Sequence, residues 1–481
     1  MLMLPEIIVI ATALLVLCFD LFLNEERRVA LAPFALAGLA LAFAATLFQY
    51  ANIGAEMLGG RYALDVVAWW FKLTFILAAI VTVAISLDSL DSRVAAASAR
   101  LESRGEYYVI LLSTLTGMMF LISSRDIVTL YVSLELSTIP LFALTAWRRD
   151  SFSGEAGLKY VVIGALGSAV LLYGLSFIYG LTGETSLAAI SAKMTTITPA
   201  YILAAAMITA GIGFKMTLVP FHMWAADVYQ GAPTPVTAYL SVASKGAGLA
   251  LMFQIFFRTM GHLVHDWSVI LAIVAAATMT LGNLVAIVQQ NIKRFMAFSA
   301  ISQAGYLIMG FLGPSEASVP SMLFYLLVYV VTNLAVFAVI VFHSNQTGSE
   351  NIEDYRGLSR TNPTMALAMM LALFGLAGIP PLAGFVGKFF LFSVASQAGF
   401  NWLVAVAAVN STISLYYYLR IVRQMYIEPA AEGASALRVT PAIAVATLLT
   451  VAATVILGVI PFFYEVIHSG TSTWLALLSR S

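Results

Sequence analysis

The chain has 481 residues, 61% of them hydrophobic and only 10% charged, a composition that belongs to a polytopic membrane protein. Its 24 basic side chains balance 24 acidic ones, so nothing points to a nucleic-acid partner or an acidic substrate. The single cysteine, Cys18, excludes an internal disulfide and any cysteine-held iron–sulfur or zinc site; the five histidines lack metal-ligand spacing, and no P-loop or dinucleotide glycine pattern is present, so no cofactor is expected on this chain.

Apolar runs long enough to cross a bilayer fall near residues 4 to 23, 29 to 48, 64 to 87, 106 to 124, 126 to 147, 155 to 180, 200 to 226, 235 to 258, 268 to 289, 294 to 313, 319 to 343, 363 to 397, 400 to 424 and 439 to 463. They predict an all-α fold of about fourteen transmembrane helices. The first run lacks the basic leader of a cleavable signal and reads as a retained span. Cytoplasmic loops carry the excess of Lys and Arg. With the N-terminus outside, fourteen loop cations fall inside, among them Arg93, Arg100, Arg148, Arg149, Lys293 and Arg294, against five outside: Arg61, Arg125, Lys193, Arg258 and Arg480. Both termini are therefore expected on the external side.

Prolines interrupt two of the spans. Pro220 removes a backbone hydrogen bond in the seventh and displaces the Met216 carbonyl; Pro380 and Pro381 do the same in the twelfth. Irregular backbone at membrane depth survives only where protein or a wet cavity surrounds it. The two broken spans are an odd number of helices apart, so helices 4 to 8 and 9 to 13 are expected to form two inverted five-helix repeats, the arrangement that marks an ion path. The expected units are residues 1–105, 106–258, 259–426 and 427–481.

Five lysines lie within the spans. Lys215 and Lys245 sit about ten or more residues from either end of their spans, too deep to snorkel easily and placed to trade protons. Lys388 follows the Pro380–Pro381 break, beside opened carbonyls. Glu135 is the carboxylate placed firmly in mid-membrane, as a proton carrier or lysine partner, or else a structural ion pair. Lys159 stands four residues after Glu155, equally suited to a surface ion pair. Lys72, among interfacial tryptophans, is expected to snorkel. Asp227, His222 and Tyr229 suit loop anchoring as well as proton transfer, and Ser302, Gln303, Tyr325, Tyr329, Thr332 and Asn333 suit helix-to-helix hydrogen bonds as well as water binding.

Several segments resemble the antiporter-like membrane subunits of respiratory complex I, the NADH-quinone oxidoreductase. They are YVSLELSTIPLFALTAWRR at 131–149, EAGLKYVVIGALGSAVLLYG at 155–174, FHMWAADVYQGAPTPVTA at 221–238, QQNIKRFMAFSAISQAGY at 289–306 and LFGLAGIPPLAGFVGKF at 373–389. SVASK after the PTPV pair, and Lys388 in the second broken helix, point to the N branch of that family and away from L and M. The resemblance implies fourteen helices, a central hydrophilic axis, and proton translocation through Glu135, Lys159, Lys215, Lys245 and Lys388, driven by quinone reduction elsewhere in the complex. It also implies flavin and iron–sulfur clusters on partner subunits, contacts with other membrane subunits and the peripheral arm, and a place in the bacterial inner membrane. The alternative is a subunit of a multisubunit cation/proton antiporter, or of a related ferredoxin- or hydrogenase-linked proton-pumping complex.

Overall fold

The computed structural model describes residues 2–90, 104–194, 198–313, 315–430 and 435–478; Arg93, Arg100 and Arg480, used above to orient the loops, lie outside them. Helices occupy every apolar run. The first six are α1 (Leu4–Phe22), α2 (Leu31–Phe48), α3 (Val66–Leu90), α4 (Arg104–Ser123), α5 (Ile127–Thr145) and α6 (Ser151–Thr182). A short surface helix, α7 (Leu187–Lys193), leads to α8 (Pro199–Met216) and α9 (Trp224–Gly231), the two parts of the seventh run. Then follow α10 (Thr234–Met252), α11 (Val264–Ala286), α12 (Ile292–Ile308) and α13 (Ser318–Thr347). After the single turn α14 (Leu358–Thr361), the twelfth run is again divided, into α15 (Pro363–Ala377) and α16 (Ala383–Gln397). The chain ends with α17 (Asn401–Tyr426), α18 (Pro441–Val459) and α19 (Phe462–Leu478).

Among the described residues, twelve helical stretches are long and apolar enough to cross a membrane. The broken run continues to Gly231, past its expected end at 226, because turns at 217–223 consume chain between its halves. α19 lies beyond the last expected run and packs on α13 and α3. Between α2 and α3, a hairpin of β1 (Ala55–Met57) and β2 (Tyr62–Leu64) turns through Leu58, Gly59 and Gly60, all at positive φ.

Burial separates the spans into two kinds. In α13, and in the span that begins with α10, 94% of the most apolar window is buried inside the protein, against 28% in α6. The first two therefore form the centre, packed on each other and both on α3, while α6 turns its Leu158, Val162 and Leu166 outward.

Local structure repeats between the halves. Asp126 caps α5 by accepting from the Val128 and Thr129 amides, and pairs with Ser186 just past the left-handed Gly183 that ends α6. Asn291 caps α12 through the Lys293 and Arg294 amides and pairs with Asn351 just past the left-handed Gly348 that ends α13. The Ile127 and Ile292 amides donate to the Thr185 and Glu350 carbonyls at 2.9 and 2.8 Å. Each break also contains a cis bond, Val219–Pro220 in one and Pro380–Pro381 in the other.

Candidate functional site

Lys215 occupies the last turn of α8. The helix stops at Met216, the residue whose carbonyl Pro220 deprives of a donor, and Thr217 takes a left-handed conformation (φ 61°) that is strained for a β-branched residue. The Leu218 amide closes the turn onto the Gly213 carbonyl at 2.8 Å. The Lys215 side chain is buried, and its ammonium donates to Thr138 Oγ1 on α5. Thr138 lies one helical turn after Glu135, so both project from the same side of α5. No contact within 4.0 Å joins Glu135 to Lys215. The carboxylate is half-buried at the edge of α5, beside the outward-facing Val132 and Leu136.

Lys245 is fully buried on α10, where its Nζ donates to the Tyr229 hydroxyl of α9 at 3.1 Å and stands 5.6 Å from that ring's centroid. The residue before it, Ser244, donates to the Lys215 carbonyl at 2.6 Å. α10 therefore holds the backbone of one lysine with one residue and presents the other lysine with the next. The close approach depends on Gly248: a Cβ there would stand 2.4 Å from Met216 Cγ.

Lys388, on α16, reaches back to the open end of α15. Its Nζ donates to the carbonyls of Leu376 (3.0 Å) and Ala377 (2.9 Å) and to Ser411 Oγ on α17 (3.2 Å), and it lies 4.5 Å from the centroid of the Tyr306 ring. These carbonyls are free because Gly378, at φ 88°, ends the helix. A Cβ at Gly378 would lie 3.1 Å from Lys388 Cδ.

Polar side chains lie between α10 and this second break. Ser241, one turn before Lys245, accepts at its Oγ from Asn333 (2.5 Å), and its carbonyl accepts from the Tyr329 hydroxyl (3.0 Å), both on α13. Tyr325, one turn before Tyr329 on α13, donates to Gln303 Oε1 on α12. The Gln303 amide donates to the Leu376 carbonyl at 3.0 Å, the same oxygen that takes Lys388. Two hydrogen-bonded clusters, one around Ser241 and one around Gln303, thus lie in the protein interior between one broken helix and the other.

Lys159 lies apart from both clusters. Its side chain is 41% exposed and bridges Glu155 (2.8 Å) and Asp227 (2.9 Å), and Asp227 also holds Arg294 at 2.6 Å. The pairing expected with Glu155 is present, and Asp227 is added to it. Lys72 does not snorkel: it is completely buried, 2.7 Å from Glu6 of α1, and donates to the Tyr62 hydroxyl at 2.7 Å. A paired carboxylate is what allows an ammonium to sit there. Glu6 gave no signal of this role in the sequence, because the pairing joins residues of different helices. Thr138, Ser244 and Ser411 were missed for the same reason, although the spacing of Thr138 from Glu135 and the adjacency of Ser244 to Lys245 were visible. At the opposite ends of α4 and α10, Asp65 binds both Arg125 (3.0 Å) and Arg258. Burial lowers the Arg125 guanidinium to about 10, so it remains charged at neutral pH.

A helical membrane protein with two proline-broken spans and a buried row of lysines between them has the architecture of an ion-translocating antiporter-type subunit. The family of NADH:quinone oxidoreductase and Mrp antiporter transmembrane proteins matches residues 124–414, so the chain belongs to it. NADH-quinone oxidoreductase subunit N of Moorella thermoacetica is 42% identical over 459 residues, covering 95% of this chain and 94% of the relative. The subunit N of Desulforamulus reducens is 40% identical over 444 residues, covering 92% and 91%. Among solved structures, a chain of respiratory complex I from Thermus thermophilus with bound aureothin matches with a TM-score of 0.78 at 32% identity, over 95% of this chain and 98% of that one. A chain of the Mrp complex from Dietzia shares the fold, with a TM-score of 0.85 at 22% identity over 98% and 97%.

Proposed function

We propose that the chain is the N-type proton-translocating membrane subunit of an NADH-quinone oxidoreductase, moving protons along Lys215, Lys245 and Lys388 as quinone is reduced elsewhere in the complex. One observation carries this reading. Lys72 and Lys293, also buried, each have a carboxylate within 2.7 Å, whereas no carboxylate comes within 4.0 Å of Lys215, Lys245 or Lys388 among the described residues. These three meet only neutral oxygens, from Thr138, Tyr229, Leu376, Ala377 and Ser411. Unpaired buried ammonium groups are costly as architecture and useful as groups that give up a proton. Glu135 supplies the controlling charge, since its approach or retreat changes which state of Lys215 is favoured. Lys159, by holding Asp227, ties α6 to the second half of the broken helix, two residues from Tyr229.

The matching caps and breaks of the two halves support two inverted five-helix repeats. On this reading the chain lies in a bacterial inner membrane with both termini external, beside other antiporter-like and small membrane subunits. Flavin and iron–sulfur clusters belong to partner chains of the peripheral arm. The test is proton uptake per electron in vesicles holding the assembled complex: Lys215→Met, Lys245→Met and Lys388→Met should each reduce it strongly. Unchanged uptake in all three, with the complex intact, would falsify the lysine path.

A further inference from the structure

A cavity of about 350 Å³ lies between the start of α10, the start of α12 and the end of α13, lined by Arg148, Thr234, Asn291, Ser344, Thr347 and Glu350. Its rim, at Thr347 and Gly348, is exposed on the face where the loop cations concentrate. Glu350 is the carboxylate of this cavity. Its Oε1 takes the Lys293 ammonium at 2.6 Å, with Arg148 4.0 Å away, and its Oε2 accepts from the Asn291 amide at 3.3 Å. Lys293 is itself buried and also donates to the Ala232 carbonyl at 2.8 Å. Asp150 adds its charge on the Lys293 side; on the Glu350 side stands the Tyr355 phenol, which burial first and the charges of Glu350 and Asp354 second raise well above its ordinary value, so it stays neutral. The Glu350 side chain is 18% exposed, wet enough to meet solvent protons and dry enough to be held in one place.

The wall of the cavity continues inward as α10. Thr234 begins the helix, and Thr237, Ser241 and Ser244 follow at three- and four-residue steps, all buried, ending at Lys245. Three and four residues are the spacings that keep side chains on one side of a helix. From Thr234 to Lys245 the axis rises ~16 Å, a distance that a row of hydroxyls with intervening waters can span, since each hydroxyl both donates and accepts. Ser344 of α13 bonds to Thr234 at 3.4 Å, which joins the cavity to the row.

We propose that this cavity is the inlet by which protons from the inner side reach Lys245, and that Glu350 is the group that receives them. The proposal rests on the proton-translocating reading above. A proton from water binds the Glu350 carboxylate, leaves it for the Thr234 end of the hydroxyl row, and ends on the Lys245 amine; no covalent bond to carbon changes and no oxidant or reductant takes part. Lys293 and Arg148 hold the Glu350 carboxylate in place at the cavity wall, and once its proton has left for the hydroxyl row the same oxygens can take the next one.

Glu350→Gln in the assembled complex should slow proton uptake and coupled quinone reduction about tenfold or more. Formate, a weak acid small enough for the cavity, should restore much of the rate, and Glu350→Asp should keep it. A Glu350→Gln complex at the parent rate, or one slowed but indifferent to formate, overturns the proposal. Should Glu350→Gln fail to assemble, Thr347→Trp closes the rim without touching the Glu350–Lys293 pair; it should slow uptake similarly, and parent-rate uptake in it overturns the inlet. Lys245→Met is measured beside them. If it pumps normally the proton-path reading itself is at fault; if it is inactive while Glu350→Gln is unaffected, only the inlet is wrong.

Discussion

Lys388 donates to three oxygens and has no carboxylate within 4.0 Å among the described residues, so its surroundings select for a donor and against an acceptor. Lys388→Glu would aim a carboxylate at two carbonyls that cannot donate, and only its protonated form would fit. We expect that variant to pump no better than Lys388→Met, measured as protons per electron in vesicles. Gly378→Ala should be nearly as harmful, because the alanine must adopt φ 88° and its Cβ presses on the lysine stem. At Lys215 the discriminating change is to arginine. It keeps a positive charge but effectively cannot release its proton, so Lys215→Arg should be about as inactive as Lys215→Met. A normally pumping arginine variant would show that the site needs only a fixed charge. Glu135→Gln keeps the packing and removes the charge; assembly should persist while pumping falls sharply, and wild-type pumping in it would make Glu135 structural.

At the scale of elements, the contrast between paired and unpaired lysines makes a stability prediction. Lys72→Met leaves Glu6 buried without its cation, a loss of about 3–5 kcal/mol, and Glu6→Gln with Lys72→Met should recover much of it. Thermal denaturation of the detergent-solubilised complex distinguishes this pair from Lys215, whose removal strands no carboxylate within 4.0 Å among the described residues. These two lysines also show what the sequence can and cannot disclose. The spans and the proline breaks were legible because hydropathy and Pro220, Pro380 and Pro381 act locally. The depth of Lys215, Lys245 and Lys388 followed from the same local pattern. Glu6 beside Lys72, and Ser411 beside Lys388, were not legible, since nothing in an isolated helix states which neighbour it will face. Lys293 looked like a loop cation and is buried, because the packing of α12 on α9 and α10 covers it.

For the whole molecule, the charge asymmetry of the loops predicts its orientation. In a Cys18→Ser background, a membrane-impermeant thiol reagent added to intact cells should label Gln397→Cys, the exposed last residue of α16, and should not label Glu353→Cys, on the opposite side. The reverse pattern would invert the topology and with it the direction of the inlet. Burial adds a further consequence. α6 spans 32 residues, about 48 Å of helix against a hydrocarbon core of roughly 30 Å, so it must tilt or protrude, and its largely exposed sides face outward from the protein. α10 and α13 present almost no such side. A thinner or thicker bilayer is therefore accommodated by the tilt of the outer helices. The solvation of Lys245 should then stay the same across lipids of different acyl length, with the lipid dependence of this chain confined to its perimeter.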